Sequence, residues 1–139
     1  MYANQLIMDI FAQNILEHSR CPHHQNKIDR IDASFEASNP SCGDEVNLRL
    51  QLDDKRKSVI GVQWKGEGCA ISQAGMSLLS DWLIGKSVSQ INTISSHIMH
   101  ELLGVEISPR RIKCALLGLY AAKNALSNSN VSWNDVINI

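Results

Sequence analysis

The chain has 139 residues, of which 44% are hydrophobic and 19% are charged, and this is the composition of an ordinary globular protein. Its length suits one domain with a core of its own, so residues 1–139 are predicted to form a single domain. Thirteen basic and fourteen acidic residues leave a net charge of −1, without the basic surface that nucleic acid or an anionic membrane requires. We therefore expect neither nucleic acid nor a membrane as a partner.

The first segment of the chain lacks the features of a secretory signal. Polar side chains interrupt its apolar residues, and no basic region precedes them. No stretch of the chain is long enough in apolar residues to span a bilayer. We expect a cytoplasmic protein, whose cysteines would be reduced and suited to metal or sulfur chemistry. The four cysteines are Cys21, Cys42, Cys69 and Cys114.

The first predicted element is an amphipathic helix from Ala3 to about His18. Apolar residues recur there at intervals of three and four, at Leu6, Ile7, Ile10, Phe11, Ile15 and Leu16. The polar stretch from Ser19 to Asn26 contains a proline and has no periodicity, so it is predicted to be a connecting loop.

Three segments with alternating apolar and polar residues follow, and each is predicted to be a strand with one buried face. Their apolar positions are Ile31, Ala33, Phe35 and Ala37 in the first, Val46, Leu48, Leu50 and Leu52 in the second, and Ile60, Val62 and Trp64 in the third. The charged turn at residues 53–57 predicts an antiparallel hairpin between the second and third strands.

Three helices are predicted in the second half of the chain, where they would cover the apolar face of the sheet. They run from Ile71 to Ile84, from Val88 to Leu103 and from Pro109 to about Leu126. Gly85 and Gly104 stand where left-handed caps are expected, and Ser108-Pro109 is typical of a helix start. The tail from Ser127 to Ile139 is weakly patterned and gives no assignment. This element order predicts an α+β fold, a small three-stranded antiparallel sheet with helices packed on one face.

The turn between the first two strands contains half of a candidate metal site. Its sequence is Asn39-Pro40-Ser41-Cys42-Gly43-Asp44. Pro40 breaks the preceding element, and Gly43 lets the backbone bend where a side chain would forbid it. The Cys42 sulfur and an Asp44 oxygen could then face one ion.

Two later cysteines could complete a set of four ligands. Cys69 opens a helix, where unpaired backbone amides and the helix dipole stabilise a thiolate. Cys114 lies near the start of the last helix, and we expect Arg110, Arg111 and Lys113 to lower its pKa further. The cysteines are too far apart in sequence for a zinc finger with short paired spacings.

Three motifs together resemble those of the NifU/IscU/SufU iron–sulfur cluster assembly proteins. In chain order they are Asn39-Pro40-Ser41-Cys42-Gly43-Asp44, Gly66-Glu67-Gly68-Cys69-Ala70-Ile71-Ser72 and Arg111-Ile112-Lys113-Cys114-Ala115. The resemblance spans roughly Leu6 to Leu126 and implies a three-stranded sheet packed by helices. It also implies that the cluster or metal is bound by Cys42, Asp44, Cys69 and Cys114. Asp44 would be the carboxylate that either ligates or promotes release.

The resemblance leaves three hypotheses for the function. The first is an assembly scaffold that receives sulfur from a cysteine desulfurase, binds iron or a labile [2Fe–2S] cluster, and passes it to acceptor apoproteins. The second is a zinc-dependent sulfurtransferase of the SufU type, in which Cys42 accepts persulfide sulfur. The third is a structural zinc-binding module. A non-enzymatic scaffold is favoured, and a hydrolase is disfavoured because no base for a cysteine nucleophile is recognisable.

Two departures from the family pattern bear on the subtype. IscU-type members carry a histidine directly before the last cysteine and a Leu-Pro-Pro-Val-Lys segment upstream, whereas this chain reads Ile107-Ser108-Pro109-Arg110-Arg111-Ile112-Lys113 there. SufU-type members share Arg-Ile-Lys-Cys but usually have a longer insertion between the second and third cysteines. Lys113 therefore favours the sulfur relay, and the short spacing before Cys114 favours the scaffold.

Other candidate ligands receive no role from the sequence. Cys21, in Cys21-Pro22-His23-His24, falls outside the ligand set that the resemblance implies. His97 and His100 share a helical face at a spacing that suits a metal, but a solvated surface pair is the favoured interpretation.

Overall fold

One helix precedes the β-sheet along the chain, and the other helices follow it. The computed structural model describes the backbone of residues 2–138 and the side chains of residues 9–138. The elements are α1 (Tyr2–Arg20), β1 (Ala33–Asn39), β2 (Asp44–Leu52), β3 (Val59–Glu67), α2 (Ala70–Leu83), α3 (Val88–Thr93), α4 (His97–Leu103), a 3₁₀ turn (Pro109–Arg111), α5 (Ile112–Leu126) and α6 (Trp133–Ile137).

The three strands form an antiparallel meander in the order β1-β2-β3. Every second residue of β2 from Val46 to Leu52 is buried, because alternate side chains of a strand point to the same face. Leu48 lies at the centre, where it pairs with Phe35 of β1 and Trp64 of β3. The predicted alternation in β2 and the predicted hairpin are confirmed.

Two of the positions predicted to be buried in strands are exposed. Ile60 is exposed because the register between β2 and β3 shifts beside Leu52, and Val59 takes the buried position. Ile31 precedes β1 and is also exposed. Next to it, the Asp32 carboxylate accepts the Leu52 N–H at 2.8 Å, so a side chain replaces the backbone acceptor and the ladder ends there.

The helices pack on one face of the sheet. α5 crosses β1 and β2, α2 lies beside α5 and contacts β3, and α1 packs on α2. The core between the two layers includes Leu79 of α2 and Leu116 and Leu119 of α5. The predicted α+β fold, with a three-stranded antiparallel sheet covered by helices, is confirmed.

The predicted first helix is confirmed and extends to Arg20. Its buried stripe is narrower than the apolar pattern indicates: Ile15 is buried, but Ile10 and Leu16 are exposed. The reason is that α1 packs on α2 at the outside of the helical layer, so α2 covers only one side of α1. The side chains of Leu6 and Ile7 lie outside the described residues.

The prediction of one helix from Val88 to Leu103 is wrong, because residues 94–96 interrupt it and divide it into α3 and α4. At the break, the Ser95 hydroxyl accepts the His97 N–H at 3.2 Å, a local bond that competes with helical bonding. Each short helix still buries an apolar side chain in the core, Ile91 in α3 and Met99 in α4.

The predicted helix ends are confirmed. Gly85 and Gly104 both have left-handed backbones, with φ of 86° and 69°, and the Gly104 N–H donates to the His100 carbonyl at 2.9 Å. Pro109 begins the 3₁₀ turn that leads into α5. Within residues 2–138, no helix combines the length and the apolar composition needed to cross a membrane.

The weakly patterned tail forms α6 and packs back on α5. Ser132 and Asp135 form a reciprocal capping box at its start. The Trp133 ring stacks on Tyr120 with centroids 4.2 Å apart, and Val136 is buried. The tail therefore adds to the core from the far side of α5.

Candidate metal centre

The predicted ligands lie near one another because the meander brings two chain reversals to one edge of the sheet, beside the first turn of α5. β1 ends and β2 begins at this edge, where Asn39 pairs with Asp44. β3 ends at the same edge, since Glu45 pairs with Glu67, and the chain turns there into α2 at Cys69. The first turn of α5 supplies Cys114.

The β1–β2 turn presents Cys42 to solvent. The Asn39 carbonyl accepts the N–H groups of Cys42 at 3.2 Å and Gly43 at 2.9 Å, which closes the turn. Gly43 has φ of 74°, in the left-handed region that glycine adopts without a steric penalty. The Cys42 side chain is exposed, so another protein could reach its sulfur.

Asp44 lies beneath the turn and points at the start of α2. It is only 3% exposed, and its Oδ1 accepts the Cys69 N–H at 3.1 Å. The Cys69 sulfur lies 3.8 Å from the other carboxylate oxygen. A Cβ at Gly68 would come within 2.5 Å of Asp44 Oδ1, so glycine is required for the carboxylate to approach α2. Asp44 thus bonds to Cys69 and not to the backbone of its own turn.

Cys114 completes the group from the helical layer. It is 5% exposed, and its sulfur lies 3.3 Å from the Cys42 sulfur. One ligand atom each from Cys42, Asp44 and Cys114 lie within 4.8 Å of one another. Two thiolates that bind one tetrahedral zinc ion are about 3.8 Å apart, so the two sulfurs need to move little to share a metal.

Asn39 holds the two sulfurs and was not singled out from the sequence. It is buried, and its side-chain amide donates to the Cys42 sulfur at 2.9 Å and to the Cys114 sulfur at 3.8 Å. Its side-chain oxygen accepts the Ser41 N–H at 3.3 Å. This last bond, two residues along the chain, is a turn that asparagine commonly forms, and it was the available sequence signal.

The electrostatics of the buried pair differ from the expectation for Cys114. Burial raises the pKa of the Cys114 thiol well above its usual value, and hydrogen bonds to Asp44 and Cys42 and electrostatic interactions with Cys69 and Asp44 add to the effect. The expectation of a lowered pKa is therefore wrong. Lys113, one of the expected causes, lies over the Trp133 ring at 5.7 Å from its centroid.

Asp44 remains ionised in this environment. Burial opposes the charge of its carboxylate, but hydrogen bonds from Cys114, Cys42 and Cys69 outweigh burial and hold its pKa below the usual value. The centre therefore contains one fixed negative charge and a buried thiol that keeps its proton. A metal that binds Cys114 has to displace that proton.

The four predicted ligands border an open cleft of about 840 Å³. Arg110 and Arg111 line the cleft together with the exposed Glu67, so charges of both signs border the thiols and the Asp44 carboxylate. The cleft offers space for an inorganic cargo and for the approach of an anionic or sulfur-bearing group.

The remaining candidates lie elsewhere. Cys21 is exposed and outside the centre. His97 and His100 stack with centroids 6.1 Å apart on α4, and His97 lies 3.4 Å from Glu101. Among the described residues, one further group has ligand atoms close enough together to hold an ion, and it was not predicted from the sequence. That group is His18, His23 and Asp81.

Known proteins are similar to this chain in both sequence and fold. The family model for the NifU-like N-terminal domain matches residues 10–132. The iron–sulfur cluster assembly scaffold protein IscU of Streptococcus pyogenes serotype M1 is 33% identical over 143 residues, which cover 91% of this chain and 86% of the relative. The protein of the same name from Escherichia coli K12 is 26% identical and covers 85% of this chain and 92% of its own.

A solved structure agrees with these relatives. A protein from Fervidobacterium islandicum AW-1, described as an iron–sulfur cluster assembly scaffold for the SUF system, superposes with a TM-score of 0.71. It is 27% identical, and the superposition covers 83% of this chain and 95% of that one. Because the family model matches most of the chain, this chain belongs to the NifU-like N-terminal domain family.

Proposed function

We propose that the chain is a scaffold on which iron–sulfur clusters are assembled and from which they are passed to acceptor proteins. The observation that carries this proposal is the convergence of the Cys42 and Cys114 thiols with the buried, ionised carboxylate of Asp44 at an open edge of the fold. Cys69 lies outside this group of three, but its sulfur is 3.8 Å from the Asp44 carboxylate. Thiolates suit iron–sulfur clusters, and a carboxylate is a harder donor. The relatives in Streptococcus pyogenes and Escherichia coli carry the name of such a scaffold.

Cys42 is the candidate acceptor of sulfur, since it is the exposed thiol of the centre. Its thiolate attacks the outer sulfur of a persulfide on a cysteine desulfurase. A new sulfur–sulfur bond forms at Cys42, the sulfur–sulfur bond on the desulfurase breaks, and the desulfurase cysteine leaves as a thiolate. The Cys114 sulfur lies 3.3 Å from that of Cys42, close enough for both cysteines to bind the same incoming iron.

The cargo, iron or a [2Fe–2S] cluster, would be held by Cys42, Asp44, Cys69 and Cys114. Binding requires Cys114 to lose its proton, and a carboxylate oxygen of Asp44 lies within 4.8 Å of that thiol. A carboxylate holds iron less firmly than a thiolate does, so Asp44 is the ligand expected to let go when the cargo leaves. The partners on this proposal are a cysteine desulfurase and acceptor apoproteins, and the expected compartment is the cytoplasm.

A second candidate function is a zinc-dependent sulfur relay. Lys113 stands directly before Cys114, where IscU-type members have a histidine, and this favours the SufU type. Three cysteines and one aspartate are also an acceptable zinc ligand set. In this case zinc occupies the centre, Cys42 accepts persulfide sulfur, and no cluster forms. A purely structural zinc module would show neither sulfur transfer nor cluster assembly.

The deciding measurement is the iron, zinc and acid-labile sulfide content of protein isolated without oxygen. It is made before and after incubation with a cysteine desulfurase, cysteine and ferrous iron. Iron and sulfide that appear together with a visible absorption band support the scaffold. Tightly held zinc with a cysteine persulfide and no sulfide supports the relay instead. Tightly held zinc with neither persulfide nor sulfide contradicts both the scaffold and the relay, and supports a structural zinc module.

The role of Cys42 is tested separately by mapping persulfide on each thiol after desulfurase treatment. Cys42 is expected to carry the label, and Cys21, which is also exposed, is the matched control. A label on Cys21 or Cys69 in place of Cys42 would refute the assignment.

A further inference from the structure

A second cluster of metal-ligating side chains lies toward the other end of α2. His18 is in the last turn of α1, Asp81 is in the last turn of α2, and His23 follows α1 in the loop. A ring nitrogen of each histidine and a carboxylate oxygen of Asp81 lie within 4.8 Å of one another. We infer that His18, His23 and Asp81 bind a divalent transition-metal ion. Two imidazoles and one carboxylate suit zinc and leave a coordination position open.

The carboxylate of Asp81 is already shared between two imidazole rings. Its Oδ2 lies 2.7 Å from His23 Nδ1, and its Oδ1 lies 2.9 Å from His24 Nε2. Each contact needs a proton between the nitrogen and the oxygen. A metal ion can replace the proton between His23 and Asp81, while His24 keeps its bond to the other oxygen and orients the carboxylate.

The His18 ring is oriented by a hydrogen bond with the hydroxyl of Ser77. Its Nδ1 lies 2.7 Å from Ser77 Oγ, which also accepts the His23 N–H at 2.8 Å. This fixes the ring and leaves Nε2 available to an ion, as partners of metal-bound histidines commonly do. The His18 and His23 rings are 4.4 Å apart between centroids. Burial, followed by the nearby His23, lowers the pKa of His18.

The loop that carries His23 is anchored to the sheet. The buried Trp64 donates its indole N–H to the His23 carbonyl at 2.7 Å and its backbone N–H to the His24 carbonyl at 3.0 Å. His24 has φ of 61°, which is uncommon for a residue other than glycine. These bonds fix the loop backbone against β3, so the loop side of the cluster is preorganised before any ion arrives.

The histidine cluster is separate from the cysteine centre in position and in chemistry. Cys69 and Asp81 are at opposite ends of α2, about 18 Å apart along its axis at 1.5 Å per residue. The cysteine centre offers mainly soft sulfur donors, whereas the histidine cluster offers nitrogen and oxygen donors only. The inference therefore does not depend on the proposed function.

The test titrates zinc into a variant in which Cys42, Cys69 and Cys114 are replaced by alanine. Isothermal titration calorimetry should show one saturable equivalent of zinc. Adding Asp81→Asn to this variant should weaken the binding at least about tenfold, because the amide lacks the charge of the carboxylate. The matched control is His97→Gln, which removes an exposed histidine that also lies beside an acidic residue, and it should leave the affinity unchanged.

No saturable zinc binding, or equal losses from Asp81→Asn and His97→Gln, would overturn the inference. If the variant that lacks Cys42, Cys69 and Cys114 is unfolded by circular dichroism, cobalt(II) titration of the wild-type chain replaces it. The inference is supported if the wild-type chain binds one cobalt equivalent that adds no thiolate charge-transfer band, and if the Asp81→Asn variant does not bind that equivalent. Thiolate-bound cobalt alone overturns it.

Discussion

The cysteine centre and the histidine cluster lie at the two ends of α2, and they differ most in how deeply their carboxylates are buried. Asp44 is 3% exposed and accepts hydrogen bonds from the groups around it, whereas the Asp81 side chain is 43% exposed. A buried site excludes water and strengthens each electrostatic interaction, while an exposed one is weakened by solvent and salt. We therefore expect substitutions in the cysteine centre to have the larger effects.

The largest effect is expected from Cys69→Ala. This change removes a thiol beside Asp44 at the start of α2, and we expect the chain to lose its ability to retain iron and sulfide. Iron and acid-labile sulfide per chain, after anaerobic reconstitution, measure the loss. Cys21→Ala is the control, because Cys21 is exposed and outside both clusters. Equal losses from the two variants would show that retention does not depend on the centre.

The next effect is expected from Asp44→Ala. Removing the weaker donor should make a bound cluster longer-lived and slow its transfer to an acceptor apoprotein several-fold. The decay of the visible absorption band and the rate of acceptor activation measure the two quantities. Asp81→Asn, in the histidine cluster, should leave both unchanged. A transfer rate in Asp44→Ala equal to that of the wild type would count against the release role.

A smaller effect is expected from Asn39→Ala. Its buried amide donates to two sulfurs, so its loss should lower the free energy of unfolding by about 1–2 kcal/mol. Chemical denaturation measures that change, and the lifetime of a bound cluster should shorten as well, since the sulfurs are less well positioned. Asn47→Ala is the control, because Asn47 bonds to Glu36 on the outer face of the sheet. Similar costs in both variants would contradict a special role for Asn39.

The smallest effect is expected from His18, and it concerns how the free energy of unfolding depends on pH. A chelator is present, so that no metal ion is bound. The pKa of His18 in the folded state is below 6.5, so between these two values the unfolded chain binds a proton that the folded chain does not. The free energy of unfolding should therefore fall as the pH is lowered from 6.5 through the folded-state pKa. His18→Gln should remove this slope from denaturation curves. An unchanged slope would mean that other groups cause it.

Much of the fold could be predicted from short-range patterns. Period-two alternation located β2 and the hairpin, and glycines with positive φ marked two helix ends. Two predictions failed, one through strand pairing and one through a local bond. Ile60 is exposed because the pairing of β3 with β2 shifts register. The predicted helix from Val88 to Leu103 is interrupted at residues 94–96, where the Ser95 hydroxyl accepts the His97 N–H.

The site shows the same division. The donor residues Cys42, Asp44, Cys69 and Cys114 could be chosen from the sequence, because their contexts place them at turns and helix starts. Their ligand roles stay predictions. A turn at Asn39 is common for asparagine, but its amide contact with the Cys114 sulfur could not be predicted, since Cys114 is distant in the chain.

The sequence by itself determined the donor types, the net charge of −1, and the strand and helix periods, because these depend on residue chemistry and neighbours a few positions away. Only the tertiary structure decided how the donors are charged and grouped. Burial under the β1–β2 turn raises the pKa of Cys114 although basic residues surround it in sequence, and Lys113 lies instead over Trp133. The packing of α1 on α2 brings His18 and Asp81 together, because desolvation and proximity are set by which elements pack.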